Sequence, residues 1–215
     1  MTDSINRFAA HVVSASYDDF PDETLTIAKK FILDTIGVCL MGSSGPWVTE
    51  LIQAHHYPST KGIARVIGGG AALTAQSAAM CNAYQMHNSE FDCFHEGAVV
   101  HPLTCVLAAC LAEIDKLTLS KKDTITGKHL IQAVTLGVDV ACNIGIASQT
   151  GLRFFRPGTC GAFGATAAIG VLRRLTKKEM INAFGIVFAQ MCGTVYYKHL
   201  TMPTNYSGAT AGEPR

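Results

Sequence analysis

Apolar residues recur at spacings of three and four along most of this chain, and that period constrains the fold more than any other feature. Leu25, Ala28, Ile32, Leu33, Ile36 and Leu40 form one such series, opened by Pro21-Asp22-Glu23 and stopped by Gly42-Ser43-Ser44-Gly45-Pro46. Proline in the first turn, acids beside the positive end of the helix dipole and glycine past the last turn are helix start and stop signals. Asp34 lies within this series, and the reading expects a buried carboxylate that needs a partner.

The same reasoning predicts a first helix from Ser4 to about Ser16, with Ile5, Phe8, Ala9 and Val12 on one face. A short helix follows from Trp47 to His55, then an extended piece at Ala64-Arg65-Val66-Ile67, a Gly68-Gly69-Gly70 break and a small-residue helix over Ala71–Met86. His101-Pro102 opens the next helix, and Thr126-Gly127 opens another that runs to about Ala147. Thr159–Leu175 and a final helix ending near Gly193 complete the series, the last announced by the capping box Thr176-Lys177-Lys178-Glu179. The expected fold class is all-α, a multi-helix bundle over residues 1–193, with an irregular tail over 194–215 rich in Thr, Tyr, Asn, Ser, Pro and Gly.

Composition narrows the function classes. The 215 residues suffice to bury roughly 70% of the unfolded surface. Charged residues make up only 15%, below the roughly 25% usual for soluble domains, so part of the surface is expected to be covered by a partner, with a homodimer as the leading form. Net charge is +1 with both signs interspersed, which leaves no basic footprint for nucleic acid. The apolar windows are interrupted by Gln132, Asp139 and Asn143, so no membrane partner is expected. The eight cysteines show no C-x-x-C spacing, and most sit among aliphatic residues. With no basic, apolar leader at the N-terminus, that points to a reducing, cytoplasmic setting, with the mitochondrion as the alternative.

Chemistry concentrates in one short stretch. His87, Glu90, Asp92, His95, Glu96 and His101 fall within fifteen residues, between two long apolar segments. Imidazoles titrate near neutral pH, so such a loop suits proton transfer. His101 precedes Pro102 at an expected helix N-terminus, where the positive dipole end favours its neutral, proton-accepting form and its free N–H groups offer a seat for a carboxylate. A capping role for His101 is the alternative. A metal is not expected, because neither C-x-x-C nor H-E-x-x-H spacing occurs. A nucleotide is not expected, because Ala71-Ala72-Leu73 stands where a phosphate-binding loop needs Gly-Lys-Ser/Thr. Gly158, Gly161 and Gly164, set among alanines, read as a helix face that admits a close neighbour.

Three ordered motifs carry a family resemblance. His87-Asn88-Ser89-Glu90-Phe91-Asp92-Cys93-Phe94-His95 with His101-Pro102, then Gly158-Thr159-Cys160-Gly161-Ala162-Phe163-Gly164-Ala165, and earlier Leu33-Asp34-Thr35-Ile36-Gly37-Val38, together resemble the MmgE/PrpD family. That family includes 2-methylcitrate dehydratase and cis-aconitate decarboxylase. The resemblance implies a lyase without a cofactor, acting on a small di- or tricarboxylate held between a helical domain and a smaller lid, of which this chain is read as the helical domain alone. It further implies His101 and Asp92 as catalytic residues, with His87, Glu90, His95 and Arg156 contacting substrate. The chain departs from the family pattern at Cys93 for an Asp, Phe94 for a Thr and Phe155 for a second histidine. Asp139 and Asn143 stand at the spacing of an internal Glu–Arg pair, and Lys198-His199-Leu200 is out of register with the family's lysine segment. These departures motivate a second expectation, a non-catalytic helical scaffold, and a third, a carboxylate-binding module using Arg153, Arg156 and His101.

Overall fold

A computed structural model describes residues 3–120, 124–148 and 155–191. The predicted tail and Arg153 lie outside the described residues. Eight α-helices, one 3-10 turn (Tyr17–Asp19, between α1 and α2) and one two-stranded hairpin are present among them, in the order α1 (Ser4–Ser14), α2 (Asp22–Gly42), α3 (Val48–Ala54), β1 (Ala64–Arg65), β2 (Ala72–Leu73), α4 (Ala75–His87), α5 (Pro102–Ser120), α6 (Gly127–Ala147), α7 (Arg156–Leu172) and α8 (Lys177–Gln190). The domain is mainly helical, as the period predicts.

Local chemistry sets the helix ends. The Asp3 side chain accepts from the Ile5 amide, the Thr74 hydroxyl from Ser77 and the Thr176 hydroxyl from Glu179. Each satisfies an N–H that the first helical turn leaves without an internal acceptor. The Glu179 carboxylate answers by accepting from Thr176, closing the capping box.

α5 is the central helix, with Leu103, Val106, Leu107 and Cys110 at 3% exposure or less. Around it pack α4, α6 and α7, with α2 alongside α4. α6 is long and apolar enough to cross a membrane by length and composition, yet it packs along α7 as a core helix. The close approach of α6 and α7 depends on small residues: a Cβ built on Gly164 would lie 2.5 Å from the Gly137 carbonyl oxygen. α1 and α8 cover the far side of α7 through Val12, Met180 and Phe184.

Two expectations are corrected. The helix predicted over Ala71–Met86 begins only at Ala75, because Ala72–Leu73 pairs antiparallel with Ala64–Arg65 as a hairpin. Gly68 and Gly70 adopt positive φ in its turn, conformations open to glycine without a Cβ penalty. Asn82 of α4, fully buried, ties the hairpin down by accepting from the Ile67 amide and donating to the Arg65 carbonyl. Asp34 is exposed rather than buried; the buried polar residue of that stretch is its neighbour Thr35. One residue of rotation, about 100° around the helix, separates the two faces.

Candidate functional site

The loop of residues 88–101 joins α4 to α5, so His87 closes one helix and His101 stands immediately before the other. The loop is folded on itself and anchored. His95 and Val100 form an antiparallel bridge, with the His95 amide donating to Val100 at 2.9 Å. Ala98 and Val100 are wholly buried against Ala141, Cys142 and Cys160. Arg156, in the first turn of α7, donates from Nη1 to the Ala98 carbonyl at 3.0 Å.

This anchoring carries Asp92 into the interior, where its side chain is 1% exposed. A carboxylate there needs donors, and the surrounding helices supply them. His87 Nδ1 lies 3.0 and 3.1 Å from the two carboxylate oxygens, and the Thr104 hydroxyl of α5 donates to Oδ2. His101 Nδ1 lies 3.3 Å from the same Oδ2. That nitrogen is buried and makes no aligned hydrogen bond. The two imidazoles meet edge to face, with ring centroids 4.8 Å apart. Since Asp92 can only accept, His87 carries its proton on Nδ1 or on both ring nitrogens; its Nε2 is 3.6 Å from Glu90.

The electrostatics follow from these contacts. Hydrogen bonding to Asp92 raises the His87 pKa against the opposing effect of burial, with the charges of Asp92 and Glu90 adding to the rise. Burial would raise the Asp92 pKa, but the hydrogen bonds from His87 and Thr104 and the charges of both histidines bring it below the usual carboxylate value.

Of the residues singled out in the sequence, His87, Asp92 and His101 converge, with Glu90 at the exposed rim beside His87. His95 is committed elsewhere: its Nδ1 accepts from the Ala98 amide, and its side chain lines a groove of about 250 Å³ with Phe94, Phe31 and Leu103. Arg156 props the loop through its backbone. Ligand atoms of His87, Asp92 and His101 all lie within 4.8 Å of one another, an arrangement of metal-binding residue types that no short spacing in the chain announced.

One member of the site escaped the sequence reading: Thr104, three residues after His101, holds the carboxylate. Phe94, singled out in the sequence as a departure from the family pattern, packs its ring 5.0 Å from that of His101. The only available signal for Thr104 was its place in the first turn of an apolar helix, where it falls on the side of the preceding loop. Asp139 and Asn143, at the spacing of the family's internal Glu–Arg pair, form a hydrogen bond at 2.8 Å in a partly exposed group that also ties His11 of α1 to α6.

A mainly helical domain with a buried carboxylate between two imidazoles, at the threshold of its central helix, is equipped for acid–base chemistry. The chain belongs to the MmgE/PrpD family: the MmgE/PrpD N-terminal domain matches residues 6–213. It is 34% identical over 197 residues to cis-aconitate decarboxylase of Aspergillus terreus, covering 90% of this chain and 39% of that protein. A cis-aconitate decarboxylase of Aspergillus terreus strain NIH 2624 is 36% identical over 180 residues, 82% of this chain and 36% of its own length. A cis-aconitate decarboxylase-like protein oryM of Aspergillus oryzae is 28% identical over 180 residues, covering 81% and 37%. The chain thus spans about two-fifths of the length of these relatives, and the decarboxylases among them are lyases.

Proposed function

We propose that this chain carries the acid–base half of a lyase site for small di- or tricarboxylates, with His101 as the group that moves the proton. The convergence of His87, Asp92 and His101 carries the reading. Asp92 acts through its neighbours. Pinned by Thr104, it lies beside both imidazoles and favours the protonated form of His87.

Two reactions fit this equipment. In a dehydration, neutral His101 takes a proton from the carbon beside a carboxylate, and the neighbouring hydroxyl leaves as water after a proton is returned to it. In a decarboxylation, the carbon–carboxylate bond breaks, CO₂ leaves and the electron pair stays on the substrate, where an imidazolium supplies the proton. His87, whose pKa is raised, is suited to the second role. The names of the relatives favour decarboxylation. Positioned acid–base groups of this kind are worth about 10²–10⁴-fold. The substrate's carboxylates would find N–H donors at the α5 N-terminus.

The test is to follow CO₂ release from cis-aconitate and water loss from 2-methylcitrate with the purified chain. Turnover that falls about 10²–10⁴-fold in His101→Ala supports the assignment, and turnover unchanged in that variant overturns it. A specific observation favours the scaffold as second reading: Phe94 occupies space against the His101 ring. A folded chain inert toward both acids, and still inert as Phe94→Thr, would support the scaffold.

A further inference from the structure

We propose that His87, Asp92 and His101 form a binding site for a divalent transition-metal ion of the zinc class, and that the bound ion takes His101 out of use as a proton carrier. The binding claim stands on geometry alone, and only its inhibitory consequence rests on the lyase reading above.

Zinc is held by imidazole nitrogens at about 2.0–2.1 Å and carboxylate oxygens at about 2.0–2.2 Å, most often tetrahedrally. Ligand atoms around such an ion lie about 3.3 Å from one another, the edge of that tetrahedron. In this cluster the edges to the shared oxygen Asp92 Oδ2 are already 3.1 Å from His87 Nδ1 and 3.3 Å from His101 Nδ1, and all three ligand atoms lie within 4.8 Å of one another, so a small ring movement closes the third edge. Two nitrogens of neutral imidazole and one carboxylate oxygen suit zinc, cobalt and non-haem iron alike. The carboxylate is oriented by the Thr104 hydroxyl, as ligating carboxylates are by outer hydrogen bonds.

An orphaned atom points the same way. His101 Nδ1 is buried and has no hydrogen-bond partner, although a carboxylate oxygen lies beside it. A cation between the two would use both lone pairs. Binding displaces the His87 Nδ1 proton: in a neutral ring it moves to Nε2 and the buried group gains two positive charges, and from an imidazolium it leaves to solvent and the gain is one. The site is reachable from the rim, since the His87 and His101 side chains retain 30% and 17% exposure.

Cobalt(II) is the probe, because its visible d–d bands report ligand type without any need for turnover. The wild-type chain is expected to bind one equivalent and show d–d bands of a nitrogen- and oxygen-ligated ion. Asp92→Asn and His101→Gln are expected to abolish the bands. Thr104→Val, which keeps all three ligands, should weaken binding about 10–100-fold. Cys93→Ala and, at the exposed His56, which is not among the three ligands, His56→Gln should leave it intact. No saturable binding by wild type overturns the proposal, as does a thiolate-to-cobalt charge-transfer band or binding that survives both Asp92→Asn and His101→Gln. Should either ligand variant fail to fold, the wild-type spectrum and Thr104→Val still decide. A chain that binds cobalt but never turns over retains the metal site and loses the lyase reading; zinc that binds without slowing an active chain removes only the inhibitory consequence.

Discussion

His101 Nδ1 stands 3.3 Å from Asp92 Oδ2, yet the hydrogen bonds to that carboxylate come from His87 and Thr104. Proximity without an aligned hydrogen bond leaves the His101 ring electrostatically coupled to Asp92 but not consumed by it. That state suits the proton-carrying role proposed for His101.

Asp92→Asn is the sharpest single change. It keeps the shape but puts an amide where His87 and Thr104 both donate, so one buried donor loses its acceptor at a cost of about 1–3 kcal/mol. The thermal midpoint should drop accordingly. Any turnover of cis-aconitate should fall at least as far as in His101→Ala, and initial rates at saturating acid check this.

Stability should depend on pH through the same pair. The folded pKa of His87 lies above its ordinary 6.5, so its contribution is full below 6.5 and is lost as pH rises through the folded value. The folded pKa of Asp92 lies below its ordinary 3.8, so its contribution is present above 3.8 and is lost as pH falls through the folded value. Both are present between 3.8 and 6.5, with Glu90 and His101 the other charged groups facing the pair. Urea midpoints measured across pH for wild type and His87→Gln should converge above neutrality and differ most inside that window. Parallel curves would contradict the assignment.

Gly164→Ala tests the α6–α7 seam. The added Cβ would lie 2.5 Å from the Gly137 carbonyl and 2.9 Å from the Ala141 Cβ. Backbone cannot yield as a flexible side chain can, so overpacking should cost about 1–3 kcal/mol or more. Gly185→Ala, with nothing within 4 Å of the new atom, is the control expected to be neutral or stabilising. Denaturant midpoints separate the two.

Large apolar side chains remain on the surface, among them Leu33 at 73% exposure, Phe91 at 75% and Trp47 at 71%. Such groups on one chain favour association. Sedimentation should give a dimer, and Leu33→Glu should shift it toward monomer if α2 lies at the interface. A monomer at every concentration would rule out self-association as their cover.

Helix ends were readable because their chemistry is local. Thr176 with Glu179, Pro21 with Asp22, and Thr126 at the start of α6 act within one turn, and each stands where the chain said it would. The hairpin was not readable: strands of two residues carry no period, and Asn82, which holds it, is contributed by a helix fifteen residues away from Ile67. Asp34 was misjudged for a related reason. Helical spacing shows which residues share a face, but both sides of α2 are apolar, and only the position of α4 decides which one is covered.

The order of residues alone determined that this chain forms helices, where most of them begin, and that histidines and carboxylates crowd into the segment from His87 to His101. Tertiary structure decided which of those groups come together. Burying Ala98 and Val100 folds the loop inward, and that sinks Asp92 between two imidazoles and under the Thr104 hydroxyl. The reason is that a buried carboxylate must be satisfied by whatever donors the packed helices bring to it, and no spacing along the chain encodes that encounter.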